Sequence, residues 1–391
     1  MNYKFLLISL LLFPTISQGQ SKSEMADSKY KEGVAAYHSN QLDEASQLFE
    51  QSLRALPTAK ASYMCGLVYE AQGKGLRALS AYETALTINP YYHEAKFQKA
   101  LVYLKYGDPN QAIDDLTDLI NADGSMLTQS VIFQIDDQGG SQNKVMTVSN
   151  MKATFYHYRG KAYLASGKHE EALTDFAASL EKEKTATVLI DRALLYHKEG
   201  KPDDAINDLK KALELSPESE LAWYNLAMID PSTTVPPSLL NDEDFGPLLI
   251  LLTERAIEKE DYFLALQYLN KSIDVDTIQA TSYINRGRVL MKLEQYGSAR
   301  RDLHRARSIA PEQIESLYLI GNTYFFENSH KMALAYYDQY LAADYQNGMV
   351  WYNAAICHHA LEQREEACHY LARAKSFGLT QASDMLERIC K

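Results

Sequence analysis

Apolar positions recur along most of the chain with the period of an α-helix, in segments of about 13 residues. The segments come in pairs joined by short polar turns, such as Gln72-Gly73-Lys74 and Ser166-Gly167-Lys168. Pro follows several of the second segments, where it prevents the helix from continuing. The pattern therefore predicts a series of antiparallel helical hairpins.

An alanine early in the second segment of each pair marks a repeat. Successive marker alanines are 33 or 34 residues apart, except at two places where the spacing is 60. Each longer spacing is one period plus an insertion of 26 residues. The nine marker alanines are Ala45, Ala78, Ala112, Ala172, Ala205, Ala265, Ala299, Ala333 and Ala367. Because one hairpin is too small to bury its own apolar face, such repeats must stack on one another.

Two positions relative to the marker predict how each hairpin closes. Twelve residues before it stands Gly or Ala in every repeat except one, where Thr253 takes the place. Four residues after it stands Phe, Tyr or Leu. A minimal side chain lets two helices approach closely, and a large one a turn further along fills the space beside it. We expect these residues to form the helix crossings.

The repeat resembles the tetratricopeptide repeat, and its clearest copy runs from Ala61 to Pro90. The resemblance covers about residues 26–379. It implies an all-α tetratricopeptide-repeat solenoid, a right-handed superhelix of helical hairpins whose concave wall is built by the first helix of each repeat. The last residues resemble the helix that caps such arrays.

The predicted organisation has seven segments. They are a signal peptide (1–19), N-terminal repeats (20–120), a β-hairpin insertion (121–152), central repeats (153–229), a Pro-rich acidic loop (230–247), C-terminal repeats (248–379) and a capping helix (380–391).

The first 19 residues have the pattern of a secretory signal peptide. Lys4 precedes the apolar run Phe5–Phe13, and Ser17-Gln18-Gly19 offers a cleavage site. The run is shorter than the 20 or so residues of a spanning helix, and no later run reaches that length. We therefore expect an exported protein, periplasmic or secreted, without a membrane span.

The two insertions differ in character. Ser130–Ile135 and Lys144–Ser149 are β-branched runs on either side of paired glycines, a pattern that predicts a β-hairpin. The second insertion follows a lone helix, Glu220–Ile229, and its Pro-rich acidic segment Asp230–Pro247 predicts a surface loop. This loop is a candidate hinge, and residues 238–245 are a candidate substitute for the missing second helix.

The first helices carry candidate binding residues. Fifteen residues before each marker, the row is apolar or aromatic except for His157, and further rows lie eleven and eight residues before the marker. Tyr offers contact area and a hydroxyl at low entropic cost, which suits a peptide-binding wall. An apolar row at helical spacing also fits packing between helices. The predicted partner-binding residues are Tyr30, Tyr37, Tyr63, Phe97, Lys161, Arg288, Asn322, Tyr318, Phe325 and Tyr352.

Some tetratricopeptide proteins hold acidic chain ends with a clamp of Lys, Asn and Arg. The nearest candidates here are Lys161, Asn285, Arg288 and Asn322. They belong to non-adjacent repeats, so we do not predict that clamp.

Charge and motifs narrow the function further. With 39 basic and 51 acidic residues the net charge is −12, which argues against nucleic acid and anionic lipid as partners. No metalloprotease, P-loop, serine-hydrolase or dinucleotide motif occurs, so we predict no cofactor and no catalysis.

One cluster of thiols and imidazoles allows several interpretations. Cys357-His358-His359 is followed by Cys368-His369. Packing alone is one interpretation, a Cys357–Cys368 disulfide in an oxidising compartment is another, and a zinc site is a third. Cys390 is an alternative disulfide partner, and Cys65 is predicted to be a buried free thiol.

Together these features predict an exported, non-enzymatic scaffold that holds a protein or peptide in the groove of the first helices. Two alternatives remain open at this stage. One is a glycan or small-molecule binder using the same groove, and the other is an enzyme using the Cys/His cluster. The identity of the partner and the oligomeric state are not predicted.

Overall fold

The structure, a computed structural model, describes residues 21–122, 132–135, 142–145, 148–241 and 246–390. The predicted signal peptide, residues 1–19, lies outside the described residues. The described parts of the chain divide into two compact units, an N-terminal unit within residues 1–195 and a C-terminal unit within residues 196–391. The division falls inside one helix and not at the Pro-rich loop.

The described residues fold into twenty α-helices, and the predicted all-α class of helical hairpins is confirmed. The first nine are α1 Lys22–His38, α2 Leu42–Ala55, α3 Ala59–Ala71, α4 Gly75–Ile88, α5 His93–Tyr106, α6 Pro109–Asn121, α7 Val148–Ala165, α8 His169–Lys182 and α9 Ala186–Lys198. The others are α10 Pro202–Leu215, α11 Glu220–Ile229, α12 Gly246–Glu258, α13 Tyr262–Val275, α14 Ala280–Lys292, α15 Tyr296–Ile309, α16 Glu315–Phe326, α17 His330–Ala343, α18 Gly348–Ala360, α19 Arg364–Ser376 and α20 Gln381–Ile389.

Within each unit the helices pack in chain order. In the N-terminal unit every helix from α1 to α7 contacts the next one, and in the C-terminal unit every helix from α10 to α19 does so. Consecutive first helices also touch, as in the pairs α1–α3, α5–α7, α14–α16 and α16–α18. The first helices of neighbouring repeats therefore lie side by side.

The helix crossings are built from the predicted residues. All nine marker alanines are fully buried, and the large residue four positions later is at most 3% exposed. At Gly66 an added Cβ would lie 2.6 Å from Cδ1 and 2.7 Å from Cζ of Tyr82. Where the small residue is Ala, as at Ala100, the partner is the smaller Leu116. Ring and glycine therefore fit each other as a pair.

The turn inside each hairpin needs one residue with positive φ, five positions before the marker. Gly fills it in four repeats, for example Gly73 at φ 71°. In the remaining repeats Asn or Glu is held there, including Glu294 at φ 58°. A side chain in this region costs about 1–2 kcal/mol relative to the right-handed conformation, so these turns store strain that the glycine turns avoid.

The first insertion contains two short antiparallel strands, β1 Ile132–Ile135 and β2 Gln142–Val145. Ile132 pairs with Val145, and Ile135 pairs with Gln142. The second predicted run, Lys144–Ser149, is only partly strand because α7 already begins at Val148. The residues between the strands lie outside the described part of the chain.

The Pro-rich segment packs on the C-terminal unit through one turn. The lone helix α11 has the predicted bounds, and Leu239–Asn241 forms a short 3₁₀ turn. Leu240 is 2% exposed and packs with Leu248 and Leu252 of α12. This turn therefore buries apolar surface in the stretch where the other repeats have a second helix, while residues 242–245 lie outside the description.

Candidate functional site

The row fifteen residues before each marker is mostly core. Tyr63, Phe97, His157, Ile190 and Ile284 are each less than 10% exposed. Four members keep accessible surface, namely Tyr30, Ile250, Tyr318 and Tyr352. Side chains in this row therefore pack mainly against neighbouring helices of the same unit. This packing largely explains why the row is apolar.

Phe97 illustrates this correction most clearly. It is fully buried, with its ring centroid 5.3 Å from that of Phe155 and 5.5 Å from that of Tyr158. Its predicted contact with a partner is wrong for this structure, because the next first helix, α7, covers the ring. Tyr63 is also a core residue at 7% exposure, and its hydroxyl oxygen is buried as well, so its predicted contact with a partner is likewise wrong for this structure.

Asn322 is likewise an internal residue. It is 8% exposed, and its Oδ1 accepts hydrogen bonds from the Tyr337 hydroxyl at 2.8 Å and from Asn353 Nδ2 at 3.2 Å. These bonds join α16 to α17 and to α18. The amide therefore stabilises the stack of repeats, which corrects its assignment to a partner-binding wall.

Four predicted residues remain accessible on three consecutive first helices of the C-terminal unit. Arg288 of α14 is exposed, Tyr318 and Phe325 of α16 are half-buried, and so is Tyr352 of α18. Arg288 also pairs with Glu315, which lies at the start of α16. We call these five residues the C-terminal face. Because α14 touches α16 and α16 touches α18, the face is one continuous surface.

Local packing holds the aromatic members of this face in place. The Tyr318 ring lies 5.9 Å from Tyr340, and Phe325 meets Phe326 edge-on at 5.6 Å. Phe326 is 54% exposed and stacks on Tyr296 at 5.8 Å. The end of α16 therefore carries two aromatic rings in contact, Phe325 of the C-terminal face and the exposed Phe326 next to it.

The predicted residues of the N-terminal unit lie among aromatic and charged neighbours. Lys60 Nζ lies 4.8 Å above the Tyr30 ring, which packs at 5.6 Å on Phe49. Tyr37 is half-buried on α1, and Lys161 Nζ lies 5.4 Å from the ring centre of Tyr158. Burial raises the pKa of Tyr30 to about 12, so its hydroxyl is protonated at neutral pH.

Charged pairs inside several hairpins were missed in the sequence interpretation. Arg159 forms a two-point ion pair with Asp175: its Nε donates to Asp175 Oδ2 at 2.7 Å, and its Nη2 donates to Oδ1 at 2.8 Å. Arg286 and Asp302 repeat the arrangement at the same two distances. The signal was present, since a basic residue thirteen before the marker accompanies Asp three after it. These pairs join the two helices of a hairpin and lie away from the C-terminal face.

The Cys/His cluster contains a disulfide, but not the predicted one. Cys368 is bonded to Cys390, with their Cα atoms 5.7 Å apart, and Cys357 is a buried free thiol. Cys357 packs in the core beside Tyr337 and Val350, and burial raises its pKa to about 12. Cys368 instead meets the end of α20, so the Cys357–Cys368 pairing is wrong.

Within the described ranges, no group of three or more His, Cys, Asp or Glu side chains could hold a metal ion. His358 Nδ1 lies 2.7 Å from Gln363 Oε1, and its ring packs at 4.7 Å from that of Tyr370.

Cys65 is buried and free, as predicted, and burial raises its pKa to about 12. Among the helices described here, none is long and apolar enough to cross a membrane.

Comparison with known protein families supports the repeat found in the sequence. Models of the tetratricopeptide repeat match residues 30–93, 145–218 and 314–347. The chain is therefore a tetratricopeptide repeat protein, a class of protein-interaction scaffold.

Curated relatives match only in part. DnaJ homolog subfamily C member 3 from Gallus gallus is 26% identical over 183 residues, which cover 46% of this chain and 34% of that protein. Tetratricopeptide repeat protein 6 from Homo sapiens is 24% identical over 163 residues, covering 39% and 31%. The chain thus matches about a third of the length of these relatives.

Solved structures resemble the chain more distantly. A thermophilic tetratricopeptide protein from Thermus thermophilus is 21% identical with a TM-score of 0.36, covering 52% of this chain and 98% of that one.

Proposed function

We propose that the chain is a non-enzymatic scaffold that binds a segment of a partner protein along the C-terminal face. The observation that carries the proposal is the accessibility of Arg288, Tyr318, Phe325 and Tyr352 on three touching first helices. Most members of the row fifteen residues before the marker are buried, whereas Tyr318 and Tyr352 in that row keep accessible surface. Tyr and Arg are the residue types that most often dominate the binding energy of protein interfaces.

The chemistry of the face suits an extended or helical protein segment. Tyr318, Phe325 and Tyr352 offer apolar area along the face, and the Arg288–Glu315 pair at the start of α16 offers a donor and an acceptor. An interface of apolar anchors with polar groups at the edge has this composition. A glycan is the alternative ligand for the same surface.

We also propose that the protein works outside the cytoplasm, in the periplasm or the medium. Two features support this location. The first 19 residues have a signal-peptide pattern, and the Cys368–Cys390 disulfide is of a kind that persists in oxidising compartments. Detection of the processed chain in the exported fraction, with the leader removed, tests the proposal, and a cytoplasmic chain that retains the leader would contradict it.

The binding proposal can be tested with matched charge reversals. The partner is first captured by cross-linking in the exported fraction, and its affinity is then measured for Arg288→Glu and for Tyr352→Ala. Removal of an anchor at a protein interface commonly costs about 2 kcal/mol, or roughly 30-fold in Kd. Arg305→Glu makes the same charge change at an exposed site on α15, a second helix, and should leave Kd unchanged.

Two outcomes would contradict the proposal. One is an equal loss of affinity for Arg288→Glu and Arg305→Glu, which would show a general charge effect. The other is retained protein binding by Tyr352→Ala together with loss of binding to an oligosaccharide panel, which would favour the glycan alternative.

A further inference from the structure

The last helix, α20, closes the C-terminal end of the repeats. It packs on α19, and Ala382 on its inner side is fully buried. Ala382 shares one apolar cluster with Ala355 of α18 and with Leu371 and Ala374 of α19. A first helix further up the chain likewise packs on both helices of the repeat before it, as α16 does on α14 and α15. α20 therefore occupies the place where a further repeat would stack.

The surface beneath α20 is apolar. Ala355, Leu371 and Ala374 form it, and we call these three residues the end surface. The rings of Trp351 and Tyr352 pack against the same cluster. The apolar side of α20 is a stripe with the three- and four-residue spacing of an amphipathic helix, made of Ala382, Met385, Leu386 and Ile389. Without α20 the end surface would face water, and exposed apolar patches of this kind are typical of docking sites.

α20 has little to hold it in place besides this stripe. It has nine residues, and isolated helices of this length are marginal in water. Ala382 is its one fully buried residue. At the other end, Arg364 Nε donates a hydrogen bond to the Ile389 carbonyl oxygen at 2.6 Å, and the disulfide ties Cys390 to Cys368 of α19. The covalent bond is therefore a main fastening of the helix.

The disulfide is open to exchange with thiols. Cys368 and Cys390 are half-buried, whereas the free thiols of Cys65 and Cys357 are buried. A dithiol reductant breaks the S–S bond by giving two electrons and two protons, which leaves two cysteine thiols and the oxidised reductant. The bond closes a loop across 22 residues, so its loss should raise the open fraction of α20 on the order of 100-fold.

We propose that the end surface is a docking site for the α20 helix of a second copy of this chain, and that reduction of the Cys368–Cys390 bond opens it. The helix that the structure shows on this surface is α20 itself, so the same helix from another copy fits without any new contact. The linker, residues 377–380, is short and contains Gly378 at φ 89°. Short hinges of this kind favour exchange of the element that follows them.

Reciprocal exchange of α20 gives a dimer with two equivalent interfaces. Each interface brings Cys368 of one copy next to Cys390 of the other. When an oxidant such as glutathione disulfide accepts two electrons and two protons, an S–S bond forms between the copies and two glutathione thiols are released. The redox state of one bond thus decides whether α20 is held within its own chain or can join two chains.

Two full-length variants, Cys368→Ser and Cys390→Ser, test the exchange directly. Neither can form the bond within one chain, but together they supply one Cys368 and one Cys390. The two are mixed in a glutathione buffer, and the products are separated on a non-reducing gel and mapped by mass spectrometry. We expect the heterodimer linked through 368 and 390 at a yield at least about tenfold above either homodimer, because docking of α20 raises the effective concentration of these two thiols.

Two further changes in the Cys368→Ser chain connect the yield to the apolar stripe. Leu386→Asp places a carboxylate on the inner side of α20 and should lower the heterodimer yield at least about tenfold. Arg388→Asp places the same group at an exposed position of the same helix and should leave the yield nearly unchanged. In the unaltered chain, light scattering should show a dimer fraction that grows with concentration after reduction by dithiothreitol.

Three results would overturn the proposal. They are a heterodimer yield no greater than that of the homodimers, equal losses for Leu386→Asp and Arg388→Asp, and a dimer fraction of the unaltered chain that does not change on reduction. No partner protein is needed for any of these measurements, so their failure leaves the C-terminal face untouched. Failure of the Arg288→Glu test would reject the proposed function and leave the exchange of α20 standing.

Discussion

The fit between Gly66 and Tyr82 yields a quantitative prediction about the repeat. An alanine at position 66 would bring its Cβ into overlap with three atoms of the Tyr82 ring, which is fully buried. The ring cannot move away freely, because its hydroxyl donates a hydrogen bond to Glu70. Overpacking of this kind costs about 1–3 kcal/mol, and the better helix propensity of Ala returns about 0.5–1 kcal/mol. We expect Gly66→Ala to lose about 1–2 kcal/mol of stability.

A double-mutant cycle separates this clash from other effects. Tyr82→Leu alone leaves a cavity and should cost about 2–4 kcal/mol. Gly66→Ala with Tyr82→Leu recreates the Ala–Leu pair that the chain already uses at Ala100 and Leu116. The double variant should therefore be more stable than the sum of the single changes by about 1–2 kcal/mol.

The assay has to report local stability, because long repeat arrays unfold without full cooperativity. Amide hydrogen exchange of α3 and α4 gives the free energy of opening for this hairpin. Gly287→Ala is the matched control, because it creates the Ala–Leu pair that the chain already accommodates at Ala100 and Leu116, and it should cost less than Gly66→Ala. Additivity of the two changes at positions 66 and 82, within about 0.5 kcal/mol, would refute the reasoning.

Three further predictions concern strain, the disulfide and pH. Glu294→Gly should stabilise the α14–α15 hairpin by about 1 kcal/mol, because Gly adopts positive φ without strain. Reduction of the Cys368–Cys390 bond should cost α20 about 3 kcal/mol of local stability, as expected for a loop closed across 22 residues. The raised pKa of Glu94 means that the folded state holds its proton more tightly than the unfolded state. Its stabilising contribution is thus fully present below pH 4.5 and is lost as pH rises through the folded pKa.

Each of these has its own control and contrary outcome. Glycine at Arg305, an exposed position inside α15, should destabilise the same hairpin, and equal effects at 294 and 305 would contradict the strain argument. Hydrogen exchange of α20 that does not change on reduction would contradict the disulfide prediction. Glu94→Gln should raise stability at neutral pH and flatten its dependence above pH 4.5, and an unchanged pH profile would contradict the assignment to Glu94.

Much of the fold could be predicted from the sequence because it depends on local spacing. The marker alanines and their large partners identify the helix crossings, and the bounds of the lone helix α11 follow from its flanking breakers. The turn residue was harder to recognise. Glu294 has a positive φ, a backbone conformation that a sequence indicates only where the residue is Gly.

The binding residues could be predicted only in part. Periodicity shows that Phe97 and Tyr318 are on the same face of their helices, but it cannot say whether a neighbouring helix or a partner covers that face. In the structure α7 covers Phe97, whereas Tyr318 keeps accessible surface. The disulfide had the same difficulty, because whether Cys357 or Cys390 meets Cys368 depends on the three-dimensional path of α20.

Glu94 was overlooked for a related reason. Acidic residues on helices are usually solvated, and nothing in its spacing distinguishes it from its exposed neighbours. Its raised pKa comes from burial beside Tyr92 at the start of α5, which only the packing of α3 and α5 reveals. The raised pKa of Glu94 therefore could not be predicted from the sequence.

The central claim is that the face of the first helices holds a partner protein, and site-specific photo-cross-linking tests it most directly. A benzophenone amino acid at position 352 on α18 is compared with one at position 263 on α13, a second helix where Phe263 is 70% exposed. The account predicts a cross-linked partner from position 352 and none from position 263. Cross-links from position 263 alone, or equal yields from both positions, would contradict it.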